Sequence, residues 1–416
     1  MEHAARRPGR AGLRRRRHVR YALWLSTFLA LTASVGILPV FRDRLQGYLG
    51  IDDRGFGLLF GLGPLVGVAG VVAAGVLLRR VGPVAMIRWA LQGTAAGMLL
   101  LAAGGRQWLV ALAGCVLCAL WAGPLTIAAS AYLTRLFPRD QRRILAFSLA
   151  VGGAAGIVFP LAAEGLLWLA DRGPGFGPVF HFPFLLLAGV LAGASFAYRG
   201  RRPAAPWRAA PAWSWRLLLV PLPVAWLAVL IALHGAADTA LFTWMPRFLG
   251  SSAFPARLFA PGLVLSAFSL AYLVARALLA ALPDAWGRRA LLVLPGLAGG
   301  SVLLLGILSR SYLLTAAGYV LGAFLWSAEF PAMLGTIARR NREHFGLANA
   351  LSQVLGGPLL FVFVNGAGLA TYRLGEPRMW LVMLALAGGF VLVGLGGAWW
   401  LARFGASLAA PKGAPR

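Results

Sequence analysis

Four ionisable side chains stand inside otherwise apolar runs of this sequence: Glu164, Asp238, Arg276 and Glu329. A charge at the centre of a bilayer costs about 2.5–3.5 kcal/mol on insertion scales, so such residues face a cavity or a partner and are the first candidates for function. Glu329 lies between Trp326 and Phe330, and Pro331 interrupts the run just after it. A carboxyl in that apolar, aromatic setting suits a group that takes up and releases a proton in each working cycle. Two readings stand for it: a proton-coupling group, or one partner in a static ion pair with Arg276. Asp238 follows His234 by four residues, which sets both on one face of a helix. The pair is a candidate proton relay or solute holder, or a satisfied polar pair packed between helices. Glu164, nearer the end of its run, is a third candidate acid or a residue of the wetted rim. Asn349, Gln353 and Asn365 are candidate hydrogen-bonding partners for a hydroxylated solute, or bridges between helices. The indoles of Trp121 and Trp326 are candidates to flank a solute ring, or anchors at the membrane interface. Three embedded acids against one base disfavour an anion. They favour a neutral polar or cationic solute.

Other chemistries find no footing. Cys115 and Cys118 have CxxC spacing but lie inside an apolar run with no cation nearby, which makes them two small apolar residues and not a redox pair. The five histidines show no metal-ligand spacing, and no nucleophile motif of the G-x-S-x-G type occurs. Neither metal, nor cofactor, nor enzymatic activity is expected.

The elements that must position these residues follow from composition. The chain has 416 residues, 60% hydrophobic and 12% charged. Its apolar runs exceed the length of a buried core helix, and without a period of two they must be transmembrane helices and not a barrel. Twelve spans are expected, at 21–41, 55–78, 84–104, 108–133, 144–170, 182–199, 217–243, 259–282, 290–308, 312–337, 346–371 and 379–402. The organising feature is the basic, proline-broken stretch from Arg199 to Arg216. It divides the chain into a basic tail (1–20), a six-helix half (21–199), a linker (200–216), a second six-helix half (217–402) and a second tail (403–416). Most of the 39 Lys and Arg residues fall in the tails, the linker and alternate loops, so the net charge of +27 is an orientation signal and not a nucleic-acid footprint. Both termini are expected in the cytoplasm, with the protein as a multi-pass monomer in the lipid bilayer of the inner membrane.

The halves repeat. Span 2 ends in Gly75-Val-Leu-Leu-Arg79-Arg80-Val-Gly82, and span 8 ends in Asp284-Ala-Trp-Gly287-Arg288-Arg289. Arg79 and Asp284 are 205 residues apart (79 to 284), and the same step carries Trp121 to Trp326. Parallel six-span repeats are the mark of one transporter architecture. These residues resemble the major facilitator superfamily, whose turn after the second helix of each half reads G-x-x-x-D-R-x-G-R-R. Arg79 stands where the family has aspartate, so the first copy departs from the usual charge lock. The resemblance implies a cytoplasmic gate at Arg79, Arg80, Asp284, Arg288 and Arg289, to which Arg276 is added by its place near the same end. Asp238 followed by Trp244, Ala275-Arg276, and Glu329-Phe330-Pro331 are similar to pieces of the fucose and sugar permease branch. The antiporter motif of span 5 is incomplete, with Ile157 in place of its proline. Spans 1 and 7 show no interior basic pair of the kind that organic-phosphate exchangers use.

The expected function is secondary active transport by alternating access: import of a small neutral polar solute, with sugars as the candidate class, coupled to protons through Glu329 and Asp238. Proton-driven efflux of a drug or metabolite is the alternative. A membrane enzyme or a non-transporting receptor would differ by showing chemistry, or no flux.

Overall fold

The computed structural model describes residues 10–32, 37–137, 141–173, 175–198, 220–254, 258–281, 289–340 and 345–405, and among them every regular element is a helix. Ten segments are long and apolar enough to cross a membrane. They are span 2 (Asp53–Ala74), span 3 (Arg80–Ala103), span 4 (Trp108–Leu133), span 5 (Ala150–Arg172), span 6 (Phe176–Phe196), span 7 (Leu222–Leu249), span 8 (Pro261–Leu279), span 10 (Tyr312–Ile337), span 11 (Ala350–Leu374) and span 12 (Glu376–Phe404). The shorter apolar helix Leu294–Leu308 is span 9, and the helices Arg10–Thr32 and Leu38–Leu49 form span 1. The result is an all-α membrane protein of twelve spans in two six-helix halves.

Three departures from the expected spans shape the interior of the bundle. Span 1 continues through Arg42 to Leu49, beyond its apolar stretch, because the Arg42 guanidinium is buried against Asp53 at the start of span 2. This puts a buried basic residue near the distal end of span 1, one position beyond the bound expected for that span. Spans 2 and 3 join at a corner where Gly82 takes φ 76° and ψ 165°, followed by Pro83. A side chain is strained in that conformation, which is why the turn motif has a glycine there. Span 10 breaks at Ser327 and Ala328 into the helices Tyr312–Trp326 and Glu329–Arg340. Pro331 has no N–H to offer the carbonyl four residues earlier, so the ladder opens and Glu329 is left at the head of the second piece.

Small residues let the helices approach. In span 2, a Cβ at Gly63 would sit 3.0 Å from the Ala119 Cβ, one at Gly67 3.1 Å from the Ala119 carbonyl oxygen, and one at Gly70 2.0 Å from the Leu120 carbonyl oxygen. The row is a packing seam onto span 4, as expected of small residues one turn apart. Because the neighbour at Gly70 is backbone and cannot swing aside, Gly70→Ala is expected to cost about 1–3 kcal/mol, read as a lower unfolding temperature of the purified protein in detergent.

The halves meet along seams that run from the distal end of the bundle, the end away from Arg10 and Phe404, to about the middle of the spans. Span 2 lies against span 11, where a Cβ at Gly57 would be 3.3 Å from the Gly368 Cα and one at Gly357 2.9 Å from the Pro64 carbonyl oxygen. Span 5 lies against span 8, where Ser266 Oγ donates to the Ile157 carbonyl at 2.9 Å.

Candidate functional site

His234 and Asp238 flank the midpoint of span 7. His234 is buried, and its Nδ1 lies 3.0 Å from Glu329 Oε2, across the gap between span 7 and the break in span 10. Glu329 is fully buried, and its Oε1 accepts no side-chain hydrogen bond; a Cβ at Gly296 would come within 2.5 Å of it, so span 9 needs a glycine there. The break places this carboxyl at the head of the second helix, where it meets the His234 imidazole, whose ring lies 6.2 Å from that of Phe330. Of the two sequence readings of Glu329, the ion pair with Arg276 is not what the structure forms: the partner is His234.

Asp238 has its own partners. Its Oδ1 accepts from Tyr272 Oη at 2.8 Å and from Trp326 Nε1 at 3.1 Å, so it is tied to spans 8 and 10 instead of to His234 one turn away. Arg276 stacks on Tyr272, its guanidinium carbon 4.7 Å from the ring centroid. That places Arg276 beside the acid cluster of the second half. Trp326 is fully buried, stacked on Phe390 at 4.0 Å with the planes 13° apart, and His234 meets the same phenyl ring edge-on at 5.2 Å. The two polar groups are thus joined through one aromatic column. It runs from Glu329 through His234, Phe390 and Trp326 to Asp238, Tyr272 and Arg276. Tyr319, stacked on Phe268 at 4.4 Å, packs beside it.

A buried carboxylate is tolerated where donors or a nearby cation share its charge: Asp238 has Tyr272, Trp326 and Arg276 close by, and Glu329 has the His234 imidazole. The arrangement can hold a proton on either acid, with the imidazole as a donor or acceptor according to its tautomer. Removing one donor isolates its contribution. Tyr272→Phe is expected to lower stability by about 0.6–2 kcal/mol, measured by thermal unfolding in detergent, with Trp326 still donating to Asp238.

The remaining sequence candidates lie elsewhere. Glu164 Oε1 accepts from the Gly262 amide at 2.6 Å, so this acid joins span 5 to the first turn of span 8 and does not reach the column. Trp121 is half-buried and closes on span 3, where a Cβ at Gly93 would be 2.2 Å from its ring. Asn365 is half-buried on the seam beside Gly61, and Gln353 is exposed. Arg80 and Arg289 are exposed. Asp284, Arg288 and the side chains of Arg79 and Asn349 lie outside the described residues. Tyr272, Phe390 and Gly296 were not singled out from sequence. Only Tyr272, a hydroxyl one turn before Arg276, carries a signal that could have marked it.

Residues 23–261 match the family model described as Major Facilitator Superfamily. The chain belongs to that superfamily. It is a multi-pass membrane transporter, and its fold is similar to that of solved transporters over nearly their whole length. The structure of the E. coli fucose:proton symporter FucP covers 92% of this chain and 98% of its own at 15% identity, with a TM-score of 0.60. The nucleoside transporter NupG covers 91% and 99% at 13% identity, with a TM-score of 0.68. A bacterial homologue of the human lysosomal transporter Spinster, in an inward-facing and occupied conformation, covers 96% and 99% at 14% identity, with a TM-score of 0.67. Comparison with curated proteins gives no match.

Proposed function

We propose that this transporter imports a small neutral hydroxylated solute, of the sugar class, across the inner membrane by alternating access, and that protons drive it. The supporting observation is the His234–Glu329 pair: a titratable couple buried at the break of span 10 and connected through Phe390 and Trp326 to Asp238. Every interior acid has a donor or cation at hand, so little net field remains to recruit an anion, and a neutral solute meets the least resistance. Solved proteins of this fold include a fucose:proton symporter and a nucleoside transporter, which lends support to a solute rich in hydroxyls. In this reading the chain works as a monomer, its termini stay in the cytoplasm, and the column moves its proton as the two halves rock.

The test uses purified protein in sealed vesicles. A panel of sugars, polyols, nucleosides, amines and drugs is first screened for ligands that raise the unfolding temperature, since a ligand that binds the folded state stabilises it. The labelled hit is then offered with an acid-outside gradient. Accumulation that a protonophore collapses is the expected result; equilibration indifferent to the gradient rejects the coupling. Expulsion of the hit under the opposite gradient, with no uptake, would select export.

A further inference from the structure

The step that relates Arg79 to Asp284 also carries Arg42 to Arg247 (42 to 247), near the distal ends of spans 1 and 7. We propose that these repeat-related arginines form a lock that holds the distal ends of the two halves together and is built to part without orphaning a charge. This rests on the alternating-access reading above and names the part of the bundle that regulates it.

Each arginine has acids within its own half. Arg42, buried at 1% exposure, pairs with Asp53 and with Asp43 Oδ1 at 3.2 Å, and Gln46 Nε2 donates to Asp53 at 3.0 Å. Arg247 pairs with Glu376 Oε2 at 3.1 Å, while Glu376 Oε1 accepts from the Ser252 amide at 2.6 Å. What attracts across the gap is weaker, and it works against the repulsion between the two guanidinium groups themselves. The Arg42 guanidinium lies 5.2 Å from the centroid of Trp244, and Asp43 reaches Arg247 at 4.0 Å. Trp244 is fixed for that contact by Nε1 donating to the Val364 carbonyl at 3.1 Å and by the edge of Phe56 at 5.7 Å.

The division of labour is what identifies a lock. Had the buried arginine taken its only acid from the opposite half, opening would strand an unpaired ion in a low dielectric. Here both arginines keep their carboxylates when the halves separate. The charged contacts given up are a cation–π contact and one long, solvent-edged ion pair, both of modest strength, and with them go the edge contact of Phe56 on Trp244 and the glycine seam beside it. The close approach of Gly57 and Gly368 beside Trp244 brings the surfaces near enough for these contacts to form.

The lock is tested by distance measurements between spin labels on full-length protein in lipid, with Cys115 and Cys118 replaced by alanine and labels at Gly47→Cys and Arg378→Cys. Both label sites are exposed and outside the column. Trp244→Leu is expected to raise the ratio of separated to joined distal ends by about 2- to 30-fold. Asp43→Asn, at a side chain 58% exposed and therefore safe for folding, is expected to raise it by about 1.5- to 5-fold. A shift toward longer distances in either variant supports the lock; superposition of both on the parent distribution overturns it. The readout needs no solute and no proton gradient, so it stands or falls separately from the transport assay.

Discussion

Glu329→Gln is expected to reduce uptake driven by a pH gradient to the level of empty vesicles, while exchange of labelled for unlabelled solute across the same membrane continues. Glutamine has nearly the volume of glutamate and can still meet His234 Nδ1, so the contact at 3.0 Å and the packing against Gly296 have a substitute. What it lacks is a carboxyl that can gain and lose a proton. Coupled movement requires that step, whereas exchange needs only the conformational change with solute bound. The exchange rate of the variant should also become flat across pH. Glu329→Ala makes a useful contrast, because it leaves the buried imidazole without its partner and opens a void, for a stability cost of about 1–3 kcal/mol from the unsatisfied group alone. Gradient-driven uptake undiminished in the glutamine variant would remove Glu329 from the coupling mechanism.

Which of these features the sequence could reveal depended on how local each one was. Apolar runs longer than a core helix announce the spans, and the shared step from 79 to 284 and 121 to 326 announces the duplication, because both are properties of one stretch or of two aligned stretches. Pro331 announces the break that presents Glu329. Partner choice was not local. His234 and Asp238 share a helix face, which suggested that they bind each other, yet the crossing helices bring better partners to both: Glu329 to one, Tyr272 and Trp326 to the other. Arg42 was hidden for a related reason. A hydropathy reading ends span 1 at the first cluster of charges, whereas the folded chain continues the helix because Asp53, beyond the turn, neutralises the guanidinium. Its duplicate Arg247 lay in the open at the same step from it, so the repeat register held a clue that hydropathy masked.

Gly368→Leu is expected to halt transport while leaving the protein folded and able to insert. At Gly368 a Cβ alone would lie 2.7 Å from the Asp53 carbonyl oxygen, 3.1 Å from the Gly57 Cα and 3.1 Å from the Trp244 ring. Two of these three neighbours are backbone, so a leucine cannot be accommodated by rotating a side chain. Spans 2 and 11 belong to different halves, so separating the halves at this end relieves the two backbone clashes without unfolding either half, while the Trp244 ring, in the same half as Gly368, has to shift. Overpacking of this size costs about 1–3 kcal/mol where a core must absorb it. Here that cost falls on one conformation and biases the equilibrium against it by about 5- to 150-fold. Gly235, on span 7, makes the control: a Cβ there meets nothing within 4 Å, so Gly235→Ala should transport at the parent rate. Flux through Gly368→Leu equal to that of the control would mean that the close seam between spans 2 and 11 is not formed at any step of the cycle.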